Sequence, residues 1–487
     1  MGLAFVPLYI KYLGIESYGL IGIFALLQAW LSLLDMGIAP TLSREMARFT
    51  GGAQETQSIR DLLRSIEIIG CCIAVIIALG IWAASGWLAS NWLRAEKLPV
   101  GVVAHAFTIM GVVTALRFIE NIYRSGIGGL QRQVVLNIVL SVTATFRGFG
   151  AVGILIWFSP TIEAFFVWQG IVSIITVGLF AIVLYCTLPV AAHVARFSLT
   201  ALKEIKHFAL GMVAITFLAL LLTQVDKILL ARLLTLEAFG YYALAGTVVN
   251  ALYILPGPVT VAIYPRFTEL VARDDVATLI ALYHKGAQLV TVVMGTAAIV
   301  LIVFGDVVVT LWTANPALTR QVAPLVAVLS LGTLLNGIMY IPYQMQLAYG
   351  WTSLGVKVNI FAVLIIVPAI LWATPKYGAI GAAWVWVGLN AGYVTIAIYF
   401  LHRRLLKTEK WRWYWKDVAM PLIAGAITAV LLRWVMPAFS GAVAQLIALL
   451  ISSGLVLAVM ALAAQTVRQQ LVRYLPQRIK SLCVRAV

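Results

Sequence analysis

Charge is what this sequence has least of. Asp, Glu, Lys and Arg make up 11% of its 487 residues, less than half the share of about a quarter found in soluble domains. Hydrophobic residues reach 62%, which excludes an ordinary water-soluble fold. Anions are scarcer than cations, 18 Asp and Glu against 34 Lys and Arg. Period-two alternation of polar and apolar residues is also missing, and with it the membrane β-barrel, whose successive strand residues face lipid and lumen in turn. Cysteine occurs only at Cys71, Cys72, Cys186 and Cys483, without CxxC or zinc-ligand spacing, so neither a disulfide framework nor a metal site is expected. The histidines His105, His193, His207, His284 and His402 form no HExxH, and the chain contains no P-loop, GxSxG or nucleotide fingerprint. No catalytic residue and no cofactor is therefore expected. Any transport must be secondary, or coupled through an outside partner.

Long apolar runs are what the sequence has in abundance. A helix rises 1.5 Å per residue, so about 20 apolar residues cross a hydrocarbon core of roughly 30 Å. Runs of that kind predict an all-α polytopic membrane protein with spans near 18–40, 66–89, 100–123, 134–158, 163–188, 206–231, 239–264, 286–312, 321–345, 355–374, 379–401, 417–437 and 441–464. A short opening run at 1–12 brings the expected number to fourteen. That run is too short to cross by itself, so the first span reads as truncated and Met1 as a doubtful start.

The remaining cations set the orientation, because cytoplasmic loops carry the excess of Lys and Arg. With the start inside, most of the 34 cations fall in inner segments. The exceptions are Lys11, Arg94, Lys97, Arg147, Lys227, Arg232, Arg320, Lys376 and Arg433. Both termini are thus expected in the cytoplasm. The segment HRRLLKTEKWRWYWKD (402–417) mixes cations with Trp411, Trp413, Tyr414 and Trp415. It reads as an inner loop with an interfacial aromatic belt beside anionic lipid, not as a nucleic-acid site. The tail from Arg468 to Val487 reads as a short amphipathic helix on the membrane.

The chain is also duplicated. LGIESYGL at 13–20 returns as LTLEAFGY at 234–241, so that Glu16 answers Glu237, Tyr18 answers Phe239 and Gly19 answers Gly240. Asn137 with Asn359 and Trp168 with Trp386 extend the match at nearly constant spacing. The expected organisation is an N-lobe at 1–195, a C-lobe at 196–405, and an appended part at 406–487 holding a basic loop, two more spans and the tail. An even number of spans per lobe makes the lobes parallel repeats, an arrangement that places a substrate path between them. Glu16 and Glu237 read as solvated turn residues in short outer loops.

Ionisable groups in or beside spans are costly and mark cavities or interfaces. The candidates are Asp35, Arg44 with Glu45, Arg117, Glu120, Arg124 and Arg147 in the N-lobe, and Asp226, Lys227, Arg232 and Arg266 in the C-lobe. Arg117, Glu120 and Arg124 stand at i, i+3 and i+7 on one helical face, suited either to a pyrophosphate or to a self-satisfied Arg–Glu–Arg ladder. Arg147 lies more than a turn inside its span, where a lipid-facing arginine would cost at least a few kcal/mol. Asp226 beside Lys227 suits ion coupling or a watered helix end. Asp35 reads as shaping the inner end of the second span. Pro256-Gly257-Pro258 predicts a kink, and a kink can serve as a gating bend.

PLYIKYLGIESYGL followed by LLDMGIAPTLSREMAR, VDKILLARLLTLEAFGYYALA and KYGAIGAAWVWVGLN resemble, in that order, a polysaccharide-biosynthesis flippase. The type is the O-antigen (Wzx) flippase of the multidrug, oligosaccharidyl-lipid and polysaccharide (MOP) exporter superfamily. The resemblance covers about residues 6–400. It implies two six-helix lobes forming a V around a central cavity in the bacterial cytoplasmic membrane. The implied substrate is an undecaprenyl-pyrophosphate-linked oligosaccharide, moved by alternating access for surface polysaccharide synthesis. Membrane lipids, a polysaccharide polymerase and chain-length proteins are implied as partners. By the same resemblance Arg44, Arg117, Arg124, Arg147 and Arg266 would bind the anion, since guanidinium pairs with phosphate bidentately. Asp226, Lys227 and Glu120 would serve ion coupling. The alternatives are a multidrug exporter of the same superfamily, whose cavity should favour carboxylates, a membrane glycosyltransferase or polymerase, which needs large outer loops, and a scaffold.

Overall fold

The computed structural model describes residues 2–34, 38–52, 55–190, 193–199, 224–435 and 441–474. Among them every regular element is helical, as expected where each backbone N–H and C=O must be satisfied within its own segment. Asp35 lies outside the described residues. The chain divides into two compact units, Met1–Gly240 and Tyr241–Val487.

The first unit holds α1 (Gly2–Leu13), α2 (Ile15–Leu34), α3 (Ile38–Thr50), α4 (Thr56–Trp87), α5 (Val100–Gly129), α6 (Gln133–Trp157) and α7 (Ile162–Thr187). Residues 224–233 form α8, and α9 (Leu236–Asn250) begins in this unit. Polar caps start the helices where the chain re-enters apolar surroundings. Thr161, for example, accepts the N–H of Ala164 at 3.3 Å to begin α7. The buried heart of the unit joins Leu42 and Met46 of α3, Ile59 and Leu63 of α4, Phe118 and Ile122 of α5, and Phe180 and Leu184 of α7. Helix α5 touches α3, α4 and α7, and this fixes which of its sides faces the core and which is left for polar groups.

The duplicated motif is an internal contact of this unit. The carboxylate of Glu16, in the first turn of α2, accepts the backbone N–H groups of Glu96 at 2.6 Å and Lys97 at 2.9 Å. Leu236 donates its N–H to the carbonyl of Arg94 at 2.9 Å, and the Lys97 ammonium reaches Glu237 at 2.5 Å. Both copies thus grip the single connection between α4 and α5. A Cβ on Gly19 would stand 2.5 Å from the Leu236 carbonyl oxygen, and one on Gly240 would stand 2.6 Å from that of Ile15, so two glycines are required for the two copies to touch. The expectation of solvated turn residues is corrected. Glu16 is 4% exposed, because a carboxylate facing two backbone N–H groups is better satisfied inside the protein than a free turn carboxylate.

The second unit continues with α10 (Gly257–Ala272), α11 (Val276–Thr313), α12 (Pro316–Gly337), α13 (Tyr340–Ala348), α14 (Thr352–Gly392), α15 (Ile398–Arg404), α16 (Lys410–Arg412), α17 (Met420–Val435), α18 (Ala442–Ala463) and α19 (Gln465–Tyr474). Val292, Ile299 and Phe304 of α11 pack with Ala429 of α17 and with Val456 and Met460 of α18, which fixes the two appended spans to α11. The segment expected as an inner loop at 402–417 is largely helical, with the end of α15 at its start and α16 leading through a π-helical stretch, Trp413–Ala419, into α17. Trp411 and Trp415 are exposed as a belt requires, whereas Trp413 is fully buried.

Among the described residues ten helices are long and apolar enough to cross a membrane, eleven if the bent pair Leu236–Ile254 and Gly257–Ala272 counts as one span. Fourteen were expected, and the differences have local causes. The 1–12 and 18–40 runs join into one stretch, Phe5–Trp30, around the break at Gly14. The 355–374 and 379–401 runs fall in one stretch, Lys357–Arg404, but Gly378 interrupts it with φ 63 and ψ −150, a conformation open to glycine and hardly to other residues. Most of 206–231 lies outside the described residues. The kink expected at Pro256-Gly257-Pro258 is present as a 42° bend. There Pro256 caps α10 and Pro258 sits in its first turn, where a missing N–H costs nothing.

Candidate functional site

A cavity of about 310 Å³ opens within the first unit, lined by Gln28 of α2, Arg117, Phe118, Glu120, Asn121 and Arg124 of α5, and Arg147 of α6. Four of the residues singled out in the sequence, Arg117, Glu120, Arg124 and Arg147, thereby meet in one place. Helical geometry explains the first three. With Ala115, Phe118 and Ile122 committed to the core, positions 117, 120 and 124 fall on the other side of α5. The fourth is placed by two glycines. Cβ atoms at Gly148 and Gly150 would overlap the rings of Phe5 and Trp168, so the RGFG sequence lets α1 and α7 close on α6. Trp168 donates its indole N–H to the Arg147 carbonyl at 3.3 Å.

The ion pairing differs from a ladder along α5. Glu120 pairs across to Arg147 (3.3 Å), and among the described residues neither Arg117 nor Arg124 forms an ion pair with it. Arg147 also reaches Ser173 of α7 at 3.4 Å. Arg117 spreads its guanidinium between the amide oxygens of Gln28 (3.3 Å) and Gln169 (3.0 Å) and lies 4.8 Å from the ring centre of Phe24. Amides and a π-face hold a cation in place without neutralising it. The buried Nε atoms of both Arg117 and Arg147 have no hydrogen-bond partner among the described residues. Three arginines against one glutamate leave the cavity net positive with donors to spare, an arrangement that suits an anion of more than one charge.

Other sequence candidates sit elsewhere. Arg44 is half exposed and lies 3.5 Å from Glu45. Arg266 belongs to the second unit and pairs with Glu269 at 2.5 Å. Neither lines the cavity. Asp226 and Lys227 are half-buried on α8, where Lys227 donates to Gln224 at 3.0 Å. Sequence reasoning passed over Gln28, Gln169 and Ser173, although a glutamine inside an apolar run is itself a signal, since its amide needs a partner. It also passed over Glu67, whose carboxylate accepts from Tyr123 (3.0 Å), Tyr185 (2.8 Å) and Arg64 (3.1 Å). That group is fully satisfied and reads as structural. A larger cavity, about 820 Å³, lies in the second unit. Its lining is almost wholly apolar apart from Lys357, Tyr393 and Arg404, so size favours it while the chemistry of an anion favours the smaller one.

The fold and this cavity define a multi-pass helical membrane protein, and comparison with known proteins specifies the family. Residues 1–271, more than half of the chain, match the family of polysaccharide biosynthesis proteins. The chain therefore belongs to the polysaccharide biosynthesis protein family. A putative O-antigen transporter of Shigella flexneri is 18% identical over 379 residues, 77% of this chain and 87% of that protein. Among solved structures, a multidrug resistance MATE family transporter of the MOP superfamily in an inward-facing conformation matches with a TM-score of 0.65 at 16% identity, over 84% of this chain and 94% of that one. The lipid II flippase MurJ in an inward closed conformation matches with a TM-score of 0.63 at 12% identity, over 94% and 95%. At such identities the two structures establish the fold, that of MOP superfamily transporters and flippases.

Proposed function

We propose that this protein is a flippase that carries an undecaprenyl-pyrophosphate-linked oligosaccharide across the bacterial cytoplasmic membrane, for the assembly of a surface polysaccharide. The observation that carries the reading is the cavity of Arg117, Arg124 and Arg147 in a chain of the polysaccharide biosynthesis family. A pyrophosphate brings charge and several acceptor oxygens. The two Nε donors that lack a partner among the described residues, and the fork of each guanidinium, supply the complementary groups. Arg44 and Arg266 remain candidates for a step at which the substrate lies outside this cavity. Asp226 and Lys227 remain candidates for coupling, and the bend at Pro256-Gly257-Pro258 for gating. Both termini face the cytoplasm in this reading, with a polymerase and chain-length proteins acting on the exported product.

Export of cationic drugs is the alternative that the fold allows, since a MATE transporter shares it. The sign of the cavity opposes that alternative. Complementation of a flippase-deficient strain, run beside a drug-efflux assay in the same cells, separates the two. Restored surface glycan without drug resistance supports the flippase, and drug resistance without glycan overturns it.

A further inference from the structure

The cavity leaves unused a buried ionic cluster in the second unit. His284 of α11 is 1% exposed, and both of its ring nitrogens face carboxylates. Nδ1 meets Asp417 in a short contact, and Nε2 lies 2.9 Å from Glu409. Asp417 is fully buried, and its second oxygen accepts from Gln288 at 2.8 Å. The Gln288 side-chain oxygen Oε1 in turn accepts the backbone N–H of Thr466, at the head of α19, at 2.7 Å. Glu409 is the partly open member, its side chain 16% exposed, with Arg412 at 3.4 Å. The other titratable groups close by are Tyr283, whose ring stands edge-on to His284, and His402, 3.3 Å from the Tyr283 hydroxyl. Lys410 is a further charged neighbour, acting on His402 by its charge. Deeper along α11 the partners from α17 and α18 are apolar. Among the described residues no three His, Cys, Asp or Glu side chains are disposed to hold a metal ion.

Counting protons decides what the cluster does. A neutral imidazole has one N–H and an imidazolium has two. Two carboxylates facing two ring nitrogens therefore need one proton more than a neutral histidine and two ionised acids supply. Without that proton, a nitrogen lone pair confronts a carboxylate oxygen in a site shielded from water, and repulsion there is screened little. The three connected parts are α11, the 405–419 connection and the head of α19, which bracket the two terminal spans.

We propose that His284, Asp417 and Glu409 form a proton-binding site whose occupancy docks the 405–419 segment and the head of α19 onto α11. The idea rests on the flippase reading above, and it supplies the proton as coupling ion at a place other than Asp226. Glu409 gives the proton its route from water. The cation-rich segment around it faces the cytoplasm by the distribution of charge, so the exchange is with that side.

Hydrogen exchange on the full-length purified protein tests this, with rates corrected for the intrinsic effect of pH. As pH rises from about 5 to about 9, protection in 405–419 and 465–474 should fall by about tenfold or more. Protection at the centre of α5 should stay constant. His284→Gln should abolish the step, and equal protection across the range in the wild type would overturn the proposal. If α5 loses protection in His284→Gln, Glu409→Gln at the edge of the cluster decides, and a step of wild-type size there overturns it. Glycan translocation in vesicles under an imposed pH gradient then separates the two levels. A pH step in exchange without translocation sinks the flippase reading and leaves the proton site. Translocation indifferent to the gradient sinks the coupling and leaves the flippase.

Discussion

The carboxylate of Glu16 and the backbone N–H of Lys97 lie 2.9 Å apart, and through this contact the first copy of the repeated motif holds the connection between α4 and α5. The second copy holds it from Lys97 outward, at Glu237. The two grips differ in worth. Glu16 is buried and accepts two backbone donors, whereas the Lys97 side chain is 65% exposed and a surface ion pair is heavily screened. Glu16→Ala should destabilise the protein by about 1–3 kcal/mol, the cost of stranding buried donors. Glu237→Gln should leave the midpoint of detergent-phase thermal unfolding where it was. Glu237 also draws the Lys97 ammonium pKa above its ordinary value, and that effect should disappear with it.

The close contact between the copies predicts a steric cost. Gly19→Ala places a methyl group against the Leu236 carbonyl and should destabilise by about 1–3 kcal/mol. Gly80→Ala in α4 meets nothing within 4 Å and should stabilise by roughly 0.5–1 kcal/mol through helix propensity alone. Unfolding midpoints of the two variants in one detergent should move in opposite directions.

Arg147 is paired with Glu120, so its loss has two consequences that a double variant separates. Arg147→Ala should lower glycan export by at least about tenfold, the size of one charge-assisted hydrogen bond, and lipid-linked glycan should accumulate on the inner leaflet. Arg147→Ala with Glu120→Ala removes the stranded carboxylate as well. If Arg147 serves the substrate, export stays low in the double variant. Recovered export would make Arg147 a mere counter-charge.

Burial pushes the Glu409 carboxyl up, but hydrogen bonding from His284 and the charges of His284 and Arg412 outweigh it, so the group is held below its ordinary value. A depressed acid contributes stability that is present above the unfolded value, about 4.3, and is lost as pH falls through the folded value. Wild type should therefore unfold at a higher temperature than Glu409→Gln at neutral pH, and the difference should shrink as pH falls below about 4. A difference independent of pH would mean that the carboxylate charge does not matter.

Much of this architecture could be read from one-dimensional patterns because lipid imposes them. Apolar runs marked the helices, and Pro256-Gly257-Pro258 marked the bend that is seen. The i, i+3, i+7 spacing placed Arg117, Glu120 and Arg124 on one side of α5, and Arg147 was conspicuous in an apolar run. What could not be read were partners from distant helices. Nothing local in the sequence says that Glu120 turns to α6, that Gln28 and Gln169 hold Arg117, or that Asp417, lost among the cations of 402–417, buries itself against His284. Glu16 was misplaced for the same reason, since its partners lie 80 and 81 residues away.

The central claim is that the arginine cavity serves to move a pyrophosphate-linked glycan. Its most direct measurement uses vesicles containing the purified protein and a lipid-linked oligosaccharide in both leaflets, with an impermeant glycan-cleaving enzyme outside. With the wild type the whole pool should become cleavable, while with Arg117→Ala/Arg147→Ala only the outer-leaflet fraction should be cut. Complete cleavage by the double variant at the wild-type rate, or cleavage limited to the outer leaflet with the wild type, would contradict the account.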